Sequence, residues 1–499
     1  RVAFGFDDGT VRLGEIGIAA QTLPADAVPA GAERLTGEDF SDGRALYSRI
    51  SENQVRKISV SAVLDAPQEI SRGQAIVAVD YRRGGTSERP NEAFATLDAA
   101  GAVRLSRTET KKNMLTGQER KTVVSTDLPA LPAGAAATSI LMNEGADQIY
   151  LAAVDGTVYR FDARDAGAPK LAETRRLLAG EATLGAFTFL NGDQSLVIGG
   201  SDGTLDVYFR LRRDKAETTV GYTLVRALAR EIQPGGVVAV AASQRTKILA
   251  TADARGGVWL RHSTSEQTLL KMAGEGRPAA LALSPRDNGI ATLAGEGGGH
   301  LTAWDVSAPH PETTLRTIFG PVWYEGYDAP GYTWQSSSGT DSFEPKLSLV
   351  PLIFGTLKAT IYSLLFAVPI AILAAIYTSE FVHRSVRAVV KPAMEVMASL
   401  PSVVLGFIAA LVLAPFVETW IAAVMLAFML LPLALLGGAM AWQMIPAQVS
   451  LRFGGLPKFV LMFVGLVLGA LAAYALAGPF EAAFFAGDFK AWTSGRVGS

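Results

Sequence analysis

Four polar side chains in the apolar C-terminal part of the sequence could contact a solute. They are two hydroxyl groups, one amine and one carboxylate, namely Thr356, Ser402, Lys358 and Glu395. Hydroxyl groups in apolar helices more often bond to their own backbone or to a neighbouring helix, so a structural role stays open for both. Glu395 has an alternative role as a first-turn carboxylate after Pro392, stabilised by the helix N-terminus and by Lys391 four residues before it.

No catalytic group, cofactor site or metal centre is predicted. The chain has no cysteine, and its four histidines show no ligand spacing: His262, His300, His310 and His383. Ser201 lies in a G-x-S-x-G pattern, but that motif needs a strand-to-helix turn and a histidine partner, and here it opens a strand-to-strand hairpin. The sequence has no glycine-rich loop followed by Lys-Ser or Lys-Thr. We therefore predict that the chain is not an enzyme.

Charge divides the sequence into two parts that suit two solvents. Residues 1–345 contain 36 Lys and Arg and 42 Asp and Glu, a net charge of −6, whereas residues 346–499 contain 9 and 5, a net charge of +4. A charged first part and an apolar, charge-poor second part are typical of a water-soluble domain followed by membrane helices. The negative first part does not favour a nucleic-acid-binding surface.

A strand-turn-strand unit recurs through the first 308 residues. It is clearest in QIYLAAVDGTVYRFDA from 148, SLVIGGSDGTLDVYFR from 195 and GIATLAGEGGGHLTAWDVS from 289. The β-branched and aromatic residues suit strands. The Asp-Gly turns at 155 and 202 can adopt the positive φ of a two-residue hairpin.

The spacing of the turn glycines predicts an all-β, propeller-like domain over residues 1–308. Gaps of 92, 55, 47, 53 and 43 residues separate Gly9, Gly101, Gly156, Gly203, Gly256 and Gly299. The first gap is about twice the others and contains a degraded unit, ENQVRKISV from Glu52, so we expect about seven four-stranded blades with the first one incomplete. The units resemble WD40 repeats, because Trp304-Asp305 takes the position of the WD dipeptide. Phe161-Asp162 and Tyr208 take that position in other units.

Residues 309–346 interrupt the strand pattern. They are rich in Gly, Ser and aromatic residues, which favours a linker whose Trp and Tyr side chains lie at a membrane surface. A loop packed on the β domain is an equally open alternative.

Four apolar runs follow, each long enough to cross about 30 Å of hydrocarbon as a helix. We predict spans at about 357–377, 393–416, 419–443 and 457–478, within an all-α domain of residues 347–480 that precedes a final segment, 481–499. Lys358 is tolerable in the first span if it lies near an interface or faces protein. Glycines inside the runs, such as Gly437-Gly438, allow close helix packing.

Basic residues fall in two of the loops between the spans. Arg384, Arg387 and Lys391 lie between the first and second spans, and Arg452 and Lys458 lie between the third and fourth. Cytoplasmic loops carry an excess of Lys and Arg, so we expect both loops in the cytoplasm and the β domain on the extracytoplasmic side. The first three cations would be mainly topology anchors, with contact to an ATPase or anionic lipid as a secondary role.

The stretch from 355 to 407 resembles the permease subunits of bacterial high-affinity phosphate ABC importers, in particular the C-type subunit. The matching residues occur in the family's order and spacing: Gly355, Thr356, Leu357, Tyr377, Ser379, Glu380, Lys391, Pro392, Glu395, Pro401, Ser402, Val403 and Gly406. The resemblance implies an ABC type-1 permease core in the inner membrane that moves inorganic phosphate by alternating access. It makes Thr356, Lys358, Glu395 and Ser402 candidates for the translocation path.

The same resemblance implies several partners. They are a second phosphate permease subunit, cytoplasmic ATP-binding subunits that hydrolyse ATP, and a periplasmic phosphate-binding protein. The chain itself would be a multi-pass transport subunit in contact with membrane lipid, with the β domain in the periplasm.

Three features depart from that family. The cytoplasmic loop that docks on the ATPase has no counterpart here, and we expect it beyond Ser499, since the sequence reads as a fragment that opens in the middle of a hairpin pattern. Short family members have no propeller, and the spans from 419 to 478 are longer than the usual pattern. The alternative is a membrane-anchored propeller that acts as a scaffold or sensor, which predicts uniform Leu, Ile and Val faces on the spans.

Overall fold

The structure is a computed structural model of the 499-residue chain. It describes residues 1–493 except 36, 86–89, 113–118, 166, 214–217, 219–220, 230, 296–299, 338–342, 400 and 446–455. The turn glycine Gly299 and the loop cation Arg452 lie outside the described residues. The chain divides into two compact units, Arg1–Ile361 and Tyr362–Ser499.

Six antiparallel sheets follow one another in the described part of residues 1–305. The first contains β1 (Val2–Gly5), β2 (Thr10–Pro24), β3 (Glu33–Arg34), β4 (Asp39–Ser41), β5 (Ala45–Ser51), β6 (Gln54–Leu64) and β7 (Gln68–Glu69). The second contains β8 (Ile76–Gly85), β9 (Pro90–Asp98), β10 (Val103–Lys112) and β11 (Glu119–Asp127). The third contains β12 (Ala137–Met142), β13 (Gln148–Ala153), β14 (Thr157–Asp162) and β15 (Lys170–Arg176).

The remaining three sheets repeat this pattern. The fourth contains β16 (Leu184–Phe189), β17 (Ser195–Gly200), β18 (Leu205–Arg212) and β19 (Tyr222–Ala229). The fifth contains β20 (Val237–Ala242), β21 (Ile248–Asp253), β22 (Gly257–His262) and β23 (Gln267–Ala273). The sixth contains β24 (Pro278–Leu283), β25 (Gly289–Ala294) and β26 (His300–Asp305).

The arrangement of these sheets is that of a β-propeller. In the second to sixth sheets the strands pair in sequence order, and the first strand of each sheet packs on the first strand of the next. Buried apolar clusters join the second sheet to the third and each later sheet to its successor. Consecutive meander sheets joined in this way are the blades of a propeller. The predicted propeller-like fold is confirmed.

The degraded unit at Glu52 does not form a separate blade. β6 pairs with β2 from Gly14↔Leu64 to Pro24↔Gln54, and it also pairs with β5. The reason is the length of β2, since its 15 residues extend past the blade and their backbone groups need a second strand as partner. The described residues therefore contain six blade-like sheets, one fewer than the glycine spacing predicts.

The Asp-Gly turns are three-residue connections, not the two-residue hairpins that we expected. The Gly156 N–H donates to the Ala153 carbonyl at 3.0 Å, and the turn at Gly203 repeats this bond. The two glycines have φ of 78° and 86°, and the Asp155 carboxylate accepts the N–H of Thr157 at 2.9 Å. One residue with positive φ is typical of a type I turn with a G1 bulge, where glycine is preferred.

The aromatic-Asp positions are equivalent in the structure, as predicted. Phe161-Asp162 ends β14 and Trp304-Asp305 ends β26, and both strands are the third of their sheets. Tyr208 lies in β18, which is the third strand of the fourth sheet.

The connecting segment, residues 306–347, is folded where the structure describes it. It contains α1 (Leu315–Phe319) and a two-stranded sheet of β27 (Trp334–Gln335) and β28 (Lys346–Leu347). The Leu349 N–H donates to the Ile318 carbonyl at 2.9 Å, so the start of the next helix is tied to the end of α1.

This connecting segment packs on the β domain. Val322 and Tyr324 are buried, and the Trp323 ring lies edge-on to Phe209 with 5.9 Å between centroids. Of the two alternatives for residues 309–346, the structure shows the packed loop. Two of the aromatic side chains that could have marked a membrane surface, Trp323 and Tyr324, therefore contact protein.

Helices make up most of the remaining described residues. They are α2 (Val350–Ile376), α3 (Arg384–Ser399), α4 (Ser402–Ile408), α5 (Ala414–Thr419), α6 (Ile421–Gln443), α7 (Leu456–Phe484) and α8 (Phe489–Thr493), with π-helical turns at Tyr377–Phe381 and Ala409–Leu413. In the described residues four stretches are long and apolar enough to cross a membrane: Val350–Phe381, Ser402–Thr419, Ile421–Gln443 and Pro457–Thr493.

The sequence predicts that the second span begins at 393, but in the structure the second apolar stretch begins at Ser402. Residues 393–399 belong to α3, and Pro401, with ψ of 125°, separates α3 from α4. A proline ring fixes φ and offers no N–H, which favours a break at this point. The π-helical turn at Ala409–Leu413 precedes Pro415, whose missing N–H removes a helical hydrogen bond.

Candidate functional site

Thr356 and Lys358 lie near the N-terminal end of α2. Thr356 Oγ1 donates to the Leu352 carbonyl at 2.8 Å, and Thr360 Oγ1 donates to the Thr356 carbonyl at 2.8 Å. The Thr356 hydroxyl therefore bonds to its own helix, which is the structural role left open above. The Lys358 side chain is exposed.

The three loop cations lie on α3, on the same side as Glu395. At about 100° per residue, Arg384, Arg387, Lys391 and Glu395 fall within one half of the helix. Lys391 and Glu395 are one turn apart, but they form no ion pair in the described part of the chain.

Arg387 closes the connection between α2 and α3. Its Nη2 donates to the Ser379 carbonyl and, at 3.3 Å, to the Val382 carbonyl. These carbonyls lie in and just after the π-helical turn that extends α2, where the last carbonyls of a helix lack intrahelical partners and favour a positive charge. Arg387 is thus a structural cation as well as a loop cation.

The prediction that Glu395 lies in a first turn is wrong. α3 begins at Arg384, so Glu395 lies in its C-terminal half and Pro392 lies inside the helix. The dipole at that end of a helix disfavours a carboxylate, so it cannot supply the expected stabilisation. The Glu395 side chain is exposed on the polar side of α3.

Ser402 is the first residue of α4, after the N-cap residue Pro401. Thr356 and Lys358 belong to the first compact unit, whereas Glu395 and Ser402 belong to the second. Glu395 and Ser402 form no hydrogen bond with each other among the described residues.

α6 and α7 pack closely through small residues. A Cβ atom added at Gly469 would lie 2.9 Å from the Ala434 Cβ, and one added at Gly465 would lie 3.3 Å from the Ala434 carbonyl oxygen. Ala473, four residues after Gly469, is buried. At one end of the pair, the rings of Trp420 and Tyr474 are 5.3 Å apart.

Sequence reasoning found only part of this helix interface. Gly438 lies at it, with an added Cβ 3.9 Å from the Leu461 carbonyl oxygen, whereas Gly437 has no such neighbour within 4 Å. The closest approach of the two helices is at Gly465 and Gly469. Their G-x-x-x-G spacing, a known signature of close packing between membrane helices, could have identified them.

An ion pair joins the ends of two apolar stretches in the second unit. Glu418, at the end of α5, contacts Lys490 in α8. The end of the second apolar stretch and the end of the fourth therefore lie side by side.

The β domain and the connecting segment line an open pocket of about 880 Å³. Turns between first and second strands of the blades contribute Asn191, Arg245, Lys247 and Asp287, and the connecting segment contributes Glu312 and Glu344. Positive and negative side chains are mixed, so the pocket has no strong preference for one sign of charge.

A buried lysine holds the connecting segment beside this pocket. Lys247 Nζ donates to Glu325 Oε2 at 2.6 Å and to the Asn191 carbonyl at 2.5 Å. Burial raises the pKa of Glu344 to about 7, while a hydrogen bond with the Thr264 side chain and the positive charge of Lys247 act in the opposite direction. Oε1 of Glu344 is shielded from solvent and accepts no hydrogen bond from the described residues.

Ser201, the serine of the G-x-S-x-G pattern, lies in a turn between β17 and β18. Its Oγ accepts the N–H of Thr183 at 3.0 Å. The interpretation of Ser201 as a turn residue is confirmed.

Comparison with known proteins adds information on the C-terminal part of the chain. No protein-family model matches. The probable ABC transporter permease protein YqgH of Bacillus subtilis is 42% identical over 78 residues, which are 16% of this chain and 25% of that protein. The helical part is similar to ABC transporter permeases. The phosphate transport system permease protein PstC of Mesorhizobium japonicum is 29% identical over 103 residues, 21% of this chain and 31% of that protein.

These similarities cover a limited part of each protein. The chain spans about a quarter to a third of the length of the two curated relatives. Among solved structures, the β-propeller domain of Cps50 (Swd1) from Myceliophteria thermophila matches with a TM-score of 0.36 and 12% identity, over 53% of this chain and 81% of that domain.

Proposed function

We propose that the chain is part of a transmembrane permease subunit of an ATP-driven phosphate importer in the bacterial inner membrane. The observation that carries the proposal is the similarity to two proteins named as permeases, in the part of the chain that holds the four apolar stretches. Inorganic phosphate as the substrate is supported by the name of the M. japonicum relative and by the residues matched between 355 and 407.

On this proposal, ATP is bound and hydrolysed by separate cytoplasmic subunits, and a second permease subunit completes the path. A phosphate dianion that leaves water needs fixed donors and positive charge. Lys358 would supply charge in the first span, and Ser402 a hydroxyl at the start of the second. Thr356 would take part only if it released the Leu352 carbonyl. Glu395 would face the path or a partner from the polar side of α3.

The proposed orientation places the basic loops in the cytoplasm and the β domain in the periplasm. The ion pair between Glu418 and Lys490 supports a topology in which the second and fourth spans end on the same side. Four crossings would then place the β domain on that side too. There it would dock a periplasmic phosphate-binding protein or brace the complex.

Co-purification tests the proposal against a membrane-anchored scaffold. The full-length protein, tagged and extracted from its own membranes in mild detergent, is expected to carry ATP-binding subunits and a second permease in stoichiometric amounts. A scaffold would purify without a nucleotide-hydrolysing partner, and the eluate would show no ATPase activity above that of a mock purification.

A further inference from the structure

We infer that α3 lies in the membrane interface and binds anionic phospholipid, with its apolar side among the acyl chains and its cations at the headgroups. This goes beyond the proposed transport function and does not depend on it. The inference rests on the division of α3 into two faces, on its place between two spans and on its charge.

The two faces of α3 are sharply divided. Six of the apolar side chains recur at i, i+3, i+4, i+7, i+10 and i+11, which is the spacing of one helical face. They are Val386, Val389, Val390, Ala393, Val396 and Met397. No residue of α3 is buried within the chain, and Val389, Val396 and Met397 are 70%, 64% and 62% exposed. This face therefore needs an apolar environment that the described residues do not provide.

The neighbouring spans hold α3 at the membrane surface. The first apolar stretch ends at Phe381 and the second begins at Ser402, so only a few residues separate each end of α3 from a span. The 16 residues of α3 form a rod of about 24 Å. With four charged residues on one side it is too polar to cross the bilayer, and it fits the properties of an interfacial amphipathic helix.

The charges of α3 select the kind of lipid. Arg384, Arg387 and Lys391 against Glu395 give a net charge of +2. Arg384 and Lys391 form no ion pair or hydrogen bond through their side chains in the described part of the chain, so both can reach phosphate groups of lipids. Basic side chains on the side opposite an apolar face stand at the headgroups when that face lies among the acyl chains, and anionic headgroups attract them.

Another protein chain is the competing occupant of the apolar face. The lipid surface is favoured because α3 connects two apolar stretches along the chain, and because Arg384 and Lys391 lie on the side of the helix opposite the apolar face. The experiment below therefore treats contact with protein as one of its outcomes.

Spin labels can locate the apolar face, because the chain has no cysteine of its own. The full-length protein, with any cysteine outside this sequence replaced by serine and with Val389→Cys or Val396→Cys introduced, is labelled in vesicles of phosphatidylcholine and phosphatidylglycerol. Ala388→Cys and Ser399→Cys serve as controls on the polar side. Labels at 389 and 396 are expected to be accessible to oxygen and protected from a water-soluble nickel chelate. The control labels are expected to be accessible to the nickel chelate and less accessible to oxygen. Labels at 389 and 396 that meet the nickel chelate, or that are protected from both reagents as in a protein contact, would overturn the inference.

Charge substitutions test the lipid preference. Retention of phosphatidylglycerol relative to phosphatidylcholine, measured by native mass spectrometry, is expected to fall about fivefold for each cation lost in the double variant Arg384→Gln, Lys391→Gln. The swap Arg384→Lys, Lys391→Arg keeps the charge and should keep the preference, as should Arg44→Gln, Arg56→Gln in the β domain. An unchanged preference in the first variant would contradict the role of α3 in binding anionic lipid.

Discussion

The α6–α7 pair and the helices α2 to α4 differ in how much of their apolar surface is buried within the chain. α6 and α7 bury Ala422 and Ala473 and approach each other at Gly469. In the described residues, the most apolar windows of Val350–Phe381 and Ser402–Thr419 contain nothing that is buried within the chain. The first region buries a small part of its apolar surface within the chain, 6% and 11% of its two most apolar windows, and the second buries none. Both leave most of their apolar side chains for lipid or for other helices.

This difference coincides with the resemblance to permeases. The residues matched between 355 and 407 lie on α2 to α4 and in the turns between them, a region whose helices have no buried side chains. A helix that works in a shared path needs surfaces for its partners, and small residues such as Gly355 and Gly406, with no neighbour within 4 Å of an added Cβ, leave room for close approach. Substitutions in either region test this difference.

Gly469→Leu should have the largest effect on the chain itself. The new side chain collides with Ala434, and overpacking of this kind costs about 3 kcal/mol at the upper end of its range. The α6–α7 contact is measured as the disulfide yield between cysteines introduced at Trp420 and Tyr474, whose rings are 5.3 Å apart. Gly478→Leu is the matched control on α7, since no neighbour lies within 4 Å of its added Cβ. Equal yields in the two variants would show that the close contact at Gly469 does not hold the pair.

Gly406→Leu should act on assembly instead of on the chain. No neighbour lies within 4 Å of an added Cβ, so the thermal stability of the purified chain should not change. If α4 packs on a partner permease, the added volume should weaken the complex by about 2 kcal/mol. The amount of partner that co-purifies measures this effect. Full recovery of the partner would mean that this face of α4 is not an assembly surface.

The connection between the β domain and α2 differs from both helical regions, because its stability should depend on pH. Burial raises the pKa of Glu344 from 4.5 to about 7, so the folded state binds more protons than the unfolded state between these values. This contribution to stability is therefore present below about pH 4.5 and is lost as the pH rises through about 7.

Glu344→Gln removes the titrating group and tests this dependence. The variant should be more stable than the wild type at about pH 8, by on the order of 1 to 2 kcal/mol, and of similar stability at about pH 4.5. Burial also raises the pKa values of Asp80 and Asp193, but these residues contribute equally to the pH dependence of stability in the variant and the wild type. The difference in stability between the two proteins therefore reports on Glu344 alone. Denaturant unfolding at the two pH values measures the effect. A constant difference between variant and wild type would contradict the raised pKa.

Arg387→Gln should have the smallest effect of the four. Its loss leaves the carbonyls of Ser379 and Val382 without a charged donor, at a cost of about 1 kcal/mol. Hydrogen exchange of the amides from 379 to 387 should become faster, and Arg384→Gln should leave it unchanged. Equal exchange in both variants would show that Arg387 does not close this turn.

The propeller could be predicted from the sequence because the strands of each blade are close together in the chain. The turn glycine, the strands beside it and the aromatic position of β14 or β18 all lie within one repeat of the chain. The Glu52 unit was misplaced because the choice between a new blade and an addition to β2 depends on pairing over some 40 residues. The docking of Trp323 and Tyr324 depends on contacts with distant blades, and the local composition cannot reveal such contacts.

The helical part shows the same limit. Apolar length predicts four spans but places the start of the second too early, because Val396 and Met397 are apolar and precede the apolar run that follows Pro401. The 3.6-residue period of α3 separates its two faces and could have identified a distinct helix. The same error placed Glu395 in a first turn. No pattern in the sequence indicates which groups Thr356 or Arg387 bond to.

Phosphate uptake in a reconstituted system tests the central claim most directly. The purified complex that contains this protein is placed in vesicles, and labelled inorganic phosphate is measured inside with and without ATP and the binding protein. The account predicts ATP-dependent accumulation that is abolished by Gly406→Leu and retained by Gly478→Leu. Accumulation that is absent in the wild type, although ATP is hydrolysed, would contradict a role for these helices in moving phosphate.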